Sequence, residues 1–152
     1  MASKNPQKGG GRSSARLAAA QALYQMEMNN TRAKVVIDEF VDHRLGKTID
    51  DDQYSKVDID FFIDIVMGVE KRQSEIDELI IDALSEDWTL PRIESVARAV
   101  LRAGTYEIIA RPDVPTSVII NEYIDLTKAF FEDKKPGFVN GVLDKISRKI
   151  RS

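Results

Sequence analysis

The segment PRIESVARAVLRAGTYEIIAR, residues 91–111, places Ile93, Val96, Ala97, Val100, Leu101, Gly104 and Ile108 at intervals of three and four residues. That spacing lines one face of an α-helix, whereas a half-buried strand would alternate every second residue. Pro91 suits a first helical turn, where its missing N–H costs nothing. Pro112 restricts its predecessor and stops the helix near Arg111. The segment is therefore read as a helix at the centre of a helical core.

Working outward, Pro115 opens a further helix with Ile119, Tyr123, Ile124, Thr127, Phe130 and Phe131 inward. The last helix follows Pro136 and Gly137 and is expected to bury Phe138, Val139, Val142, Leu143, Ile146 and Ile150. Asn140 lies within that stripe, and a buried amide must be hydrogen-bonded, so it is expected to cap or cross-link neighbouring helices. Upstream, Ile76, Leu79, Ile80, Ala83 and Leu84 form another helical stripe that stops at Ser85 to Thr89. Residues 57–65 alternate like a strand, but Phe62, Ile65, Val66 and Val69 also form a helical stripe that outlasts a typical strand. They are read as helix. Val35, Val36, Phe40 and Val41 mark a second helix running toward Gly46, and residues 46–56 form an Asp-rich loop. The first helix begins near Arg12, with Leu17, Ala20, Leu23, Tyr24 and Met28 at helical spacing in an alanine-rich run that favours helix intrinsically. Asn29, Asn30 and Thr31 end it. The reading is all-α, with about seven helices.

Composition excludes several functions. With 152 residues the chain can bury a core without a staple. The absence of cysteine removes disulfides, thiolate metal sites and Cys nucleophiles, and agrees with a reducing, cytoplasmic setting. No apolar run approaches the roughly 20 residues a bilayer span needs, and the first residues lack the apolar core of a secretory signal. His43 is the single histidine and stands between Asp42 and Arg44 on a polar stretch, so it reads as a surface residue. Gly46-Lys47-Thr48 resembles the end of a phosphate-binding loop, but Val41 stands where that motif needs its first glycine. Asp50, Asp51 and Asp52 lack the spacing of an EF-hand loop. No cofactor is implied.

The net charge of −3 conceals a segregation of charge. Lys4, Lys8, Arg12 and Arg16 precede the first acid, Glu27, and the chain closes with Lys145, Arg148, Lys149 and Arg151. Such a local field can hold a polyanion on an acidic protein; the alternative is a solvated tail. Arg12 and Arg16 lie one turn apart on one helical face. At a helix start they would oppose the macrodipole, a placement that makes sense if a phosphate joins them there. Tyr24 is either core or a partner contact. Phe138 and Tyr123 are either packing or platforms for unpaired bases. Arg98 and Arg102 share a face and are expected to pair with Glu94 or Glu107.

AVLRAGTYEI (99–108), RPDVPTSVIINEYIDLTKAF (111–130), FVNGVLDKI (138–146), ARLAAAQALYQ (15–25) and VDIDFFIDIVMGV (57–69) together resemble the NusB family of bacterial transcription antitermination factors. The resemblance implies an all-helical fold of two packed subdomains, roughly 12–88 and 89–152, behind a flexible basic arm over 1–11. It also implies a non-enzymatic, cytoplasmic adaptor that pairs with the small-subunit ribosomal protein NusE. The pair binds boxA RNA in nascent transcripts, notably of ribosomal RNA operons, within an RNA polymerase antitermination complex.

Carried onto this chain, the resemblance assigns RNA contact to Arg12 and Arg16 and partner contact to Tyr24. Lys8, Lys134 and Lys135 are taken as further RNA contacts that substitute where the chain departs from the family, and Arg98 is taken as a second partner contact. Ser13 and Ser14 stand where the family is commonly basic. Gly137 replaces a usual basic residue before FVNG, and Ala97 a usual acid before AVLR. A protein-only helical scaffold, monomeric or a homodimer, is the alternative. A third reading, the NusB-like appendage of an RNA cytosine methyltransferase, lacks a cofactor domain here.

Overall fold

The computed structural model describes residues 4–45 and 57–151, with side chains from residue 11 onward. Lys47 and Asp50 to Asp52 lie outside the described residues. The described elements are helical throughout: α1 (Lys4–Asn29), α2 (Ala33–Phe40) continued by a π-helical turn (Val41–Leu45), α3 (Ile59–Lys71), α4 (Gln73–Ala83), a 3-10 turn (Leu90–Arg92), α5 (Ser95–Ala110), α6 (Thr116–Phe130) and α7 (Lys135–Arg151). They fall into two compact units, residues 1–70 and 71–152, where the sequence placed the division near residue 88.

In the first unit α1 starts at Lys4, so residues 4–11, expected as an arm, are its opening turns. Pro6 falls in the first turn, where no N–H is required. Gly11 is buried and its carbonyl accepts the Asp58 amide at 3.0 Å. That tertiary tie is comparable to the cost of about 1 kcal/mol that one helical glycine carries. The side of α1 that is buried also differs from expectation. Ala15, Ala18, Ala19, Ala22 and Leu23 are buried, whereas the larger Tyr24 and Met28 are exposed. On α2, Val36 and Phe40 are buried and Val35 is exposed. Phe40 stacks on Phe62 of α3 with ring centres 5.6 Å apart.

Glu70, late in α3, reaches the start of α2, where its Oε2 accepts the Ala33 amide at 2.8 Å and Arg32 Nε at 3.1 Å. The donors missing at a helix start are thereby met from another helix. The Ala33 amide, and then Arg32, hold the Glu70 carboxyl below its ordinary value.

In the second unit α5 is buried without interruption from Ala97 to Ile108, as a helix surrounded by neighbours must be. It begins at Ser95, later than expected, because Pro91 belongs to the separate 3-10 turn. The Glu94 side chain caps α5, accepting the Val96 amide at 2.8 Å and the Ala97 amide at 3.2 Å.

Gly104 lets α7 approach α5: a Cβ there would stand 3.0 Å from Leu143 Cδ1 and 3.4 Å from Tyr123 Cδ2. Tyr123 is core, and its hydroxyl donates to the buried Glu107 carboxylate. Arg102 makes a two-pronged pair with Asp77 of α4 at 2.9 and 3.1 Å. Arg151 donates to the carbonyls of Glu107, Ile108, Arg111 and Val114 and to the Thr116 hydroxyl, closing the turn between α5 and α6.

Val139, Val142, Leu143 and Ile146 are buried as the periodicity required, and Phe138 is half-buried. Phe130 and Ile150 are exposed instead of inward. Both sit in the last turn of their helices, where an apolar period continues whether or not a neighbour extends that far. Asn140 is exposed, so it is not the buried cross-link expected from the stripe.

Candidate nucleic-acid and partner interfaces

In the first unit Arg12 lies more than two turns inside α1, so the expected conflict with the helix dipole does not arise. Its guanidinium lies over the Phe61 ring, 4.4 Å from the centroid, and its Nε is 3.8 Å from Asp58 Oδ2. Asp58 also caps α3, its Oδ1 accepting the Phe61 amide at 3.0 Å. One residue thus ties α1 to the start of α3 through its backbone and places both a ring and a carboxylate beside Arg12. The Arg12 side chain remains 38% exposed, with its charge available from outside.

Arg16 sits over the same ring at 5.0 Å but is only 3% exposed. It presents almost no surface to a polyanion. The side chain of Lys8 lies outside the described residues.

Farther along α1, Tyr24 is 39% exposed and Met28, one turn on, is 52% exposed. Spacing of four residues puts them on one face. Tyr24 is therefore not core, and the pair leaves an exposed apolar strip on α1.

In the second unit, a cavity of about 370 Å³ is lined by Trp88, Ile93, Ala97 and Phe138 and rimmed by Arg92 and Lys134. The Trp88 and Phe138 rings are 5.7 Å apart, and the Arg92 guanidinium lies 5.2 Å from the Trp88 ring centre. Lys134 is exposed. Lys135 is engaged: its Nζ lies 2.7 Å from Asp133 Oδ2 and 4.7 Å from the Phe131 ring centre. The Lys135 ammonium, followed by the Lys135 amide, holds the Asp133 carboxyl below the usual carboxylate range.

Space around Gly137 is open, so nothing fills the position of the expected basic side chain. Ala97 contributes to the cavity wall where the family resemblance led to an acid.

Arg98 is buried, and its Nη1 donates to the Ile93 carbonyl at 2.6 Å and the Leu90 carbonyl at 3.2 Å. It organises the turn that carries the cavity wall and offers little surface to a partner. Sequence reasoning missed Trp88, Phe61 and Asp58. Trp88 is the single tryptophan and stands in a polar loop, a signal that was present. Phe61 and Asp58 were read only as parts of an alternation.

Among the described residues no three His, Cys, Asp or Glu side chains converge as a metal site requires. No described helix is long and apolar enough to cross a membrane. The described residues thus form an all-helical protein with cations on aromatic rings and an exposed apolar strip.

The chain belongs to the NusB family, whose profile matches residues 13–148. It is 51% identical over 140 residues to the transcription antitermination protein NusB of Sinorhizobium fredii, covering 92% of this chain and 88% of that protein. T. maritima NusB superposes with a TM-score of 0.78 at 31% identity, covering 92% of each chain. A chain from the crystal structure of antitermination factors NusB and NusE in complex with dsRNA superposes with a TM-score of 0.75 at 25% identity. It covers 91% of this chain and 96% of that one.

Proposed function

We propose that this protein is a transcription antitermination factor that works without catalysis, binding boxA RNA in partnership with NusE in an RNA polymerase antitermination complex. The observation that carries this reading is the near full-length similarity to NusB proteins, one of them from a solved complex with NusE and RNA.

In this reading Arg12 and Lys134 meet phosphates, joined by Lys8. Arg16 and Lys135 support those contacts, one at the Phe61 ring that Arg12 also meets and one through Asp133. The paired rings beside Arg92 suit an unpaired base or an apolar side chain. Tyr24 and Met28 supply apolar area for NusE, and Arg98 acts on partner binding through the turn it holds.

The test is titration of labelled boxA RNA with the full chain, with and without NusE, at several salt concentrations. NusE should tighten RNA binding, and RNA should tighten NusE binding by the same factor. Arg12→Ala should flatten log affinity against log salt by about 0.7, the loss of one phosphate contact on a single strand. Replacing Lys134 and Lys135 by Glu should weaken RNA binding with little change in melting temperature. Absence of boxA binding both alone and with NusE would overturn the RNA reading in favour of a protein-only scaffold.

A further inference from the structure

Of the two α1 arginines assigned to RNA, the reachable one, Arg12, already has an anion beside it. Arg12 Nε and Asp58 Oδ2 are 3.8 Å apart, too far for a hydrogen bond but close enough for direct attraction. Both side chains are more than a third exposed, so a ligand can reach either. The two oxygens of Asp58 divide their work: Oδ1 accepts the Phe61 amide at the start of α3, and Oδ2 faces the guanidinium. The Phe61 ring also lies against Arg12, with its centre 4.4 Å from the guanidinium carbon. A phosphate arriving at Arg12 therefore meets a cation already oriented by a ring and partly neutralised by a carboxylate in a phosphate's place.

From this geometry we propose that Asp58 is an intramolecular competitor for Arg12, a built-in stand-in for the RNA phosphate that sets the affinity of this site. The inference rests on the RNA reading above and deepens it. The helix cap needs only one acceptor oxygen, which a neutral side-chain amide also supplies. The carboxylate charge lowers the affinity of every ligand whose phosphate must displace it from Arg12. Because every phosphate that reaches Arg12 meets the same competitor, the device sets the strength of the site and leaves the difference in affinity between such ligands unchanged.

Asp58→Asn separates the two jobs, since Asn keeps the acceptor for the Phe61 amide and loses the charge. The probe is single-stranded boxA RNA titrated into the full chain, with melting temperature measured alongside. Asp58→Asn should bind about two- to fivefold tighter, the range an exposed ion pair supplies when removed, and should melt close to the parent. The gain should vanish when Arg12→Ala is also present. Asp60→Asn, which removes an exposed acid two residues away, controls for the general field and should give a smaller gain that survives Arg12→Ala.

If Arg12→Ala weakens binding but Asp58→Asn leaves affinity unchanged or lowers it, Asp58 positions Arg12 and the competitor role is wrong while the RNA reading stands. A gain equal to that of Asp60→Asn, or one that persists without Arg12, also overturns it. If the parent chain binds no boxA RNA, both fall together.

Discussion

Gly104 and Gly141 are both helical glycines, and the same substitution should move stability in opposite directions. Alanine in a helix interior is favoured over glycine by about 1 kcal/mol. At Gly141 in α7 a new Cβ meets nothing within 4 Å and the residue is exposed, so Gly141→Ala should stabilise by about 0.5–1 kcal/mol. At Gly104 in α5 the Cβ would stand 3.0 and 3.1 Å from the two methyls of Leu143 and 3.4 Å from Tyr123 Cδ2. Those neighbours cannot swing aside cheaply, because both are fully buried and Tyr123 is tied to Glu107 through its hydroxyl.

Overpacking of this kind costs about 1–3 kcal/mol. Set against the helical gain, Gly104→Ala should lose about 0–2 kcal/mol. The two variants should therefore differ by about 1–3 kcal/mol, and each kcal/mol moves the melting temperature of a chain this size by about 2–4 °C. Urea unfolding followed by Trp88 fluorescence suits the comparison, because the one tryptophan lies in the unit that holds both glycines. A change in midpoint at constant slope would report stability alone. Gly104→Ala at least as stable as Gly141→Ala would refute the close-approach argument.

Arg151→Ala should remove the charge-assisted bonds that close the α5–α6 turn, costing about 2–3 kcal/mol, with faster amide exchange over residues 108–116 as the local sign. If exchange there is unchanged, the clasp is not holding the turn. Glu70→Gln should destabilise the first unit by about 1 kcal/mol at neutral pH by weakening the start of α2. The carboxyl is held below its ordinary value of 4.5, so its contribution is full above that value and fades as pH falls through the lower folded value. The gap between Glu70→Gln and the parent should accordingly close in acid, as pH-dependent melts would show. Tyr24→Ala should leave the melting temperature nearly unchanged because the side chain is exposed, yet weaken NusE binding in a pull-down or calorimetric titration.

Much of the fold was legible because helical periodicity is a local property. The stripes of α3, α4, α5 and α7 marked residues that are indeed buried, among them Phe62, Ile76, Leu101 and Val142. The ambiguous alternation at 57–65 resolved correctly once its length was considered. The absence of cysteine, the solitary histidine and the basic first residues were equally available, and the quoted blocks carried the family resemblance.

Tertiary structure alone decided what depends on neighbours distant in sequence. Arg12 and Arg16 are indistinguishable by spacing, yet one is reachable and the other enclosed, because Phe61 lies against both and burial is set by what surrounds each guanidinium. In α1 the small alanines and Leu23 are buried while Tyr24 and Met28, at the same helical spacing, face outward. Arg98 could not be recognised as the organiser of a turn until the carbonyls of Leu90 and Ile93 converged on it. Periodicity reports which residues share a face of a helix; which face is covered, and by what, is a matter of contacts made across the chain.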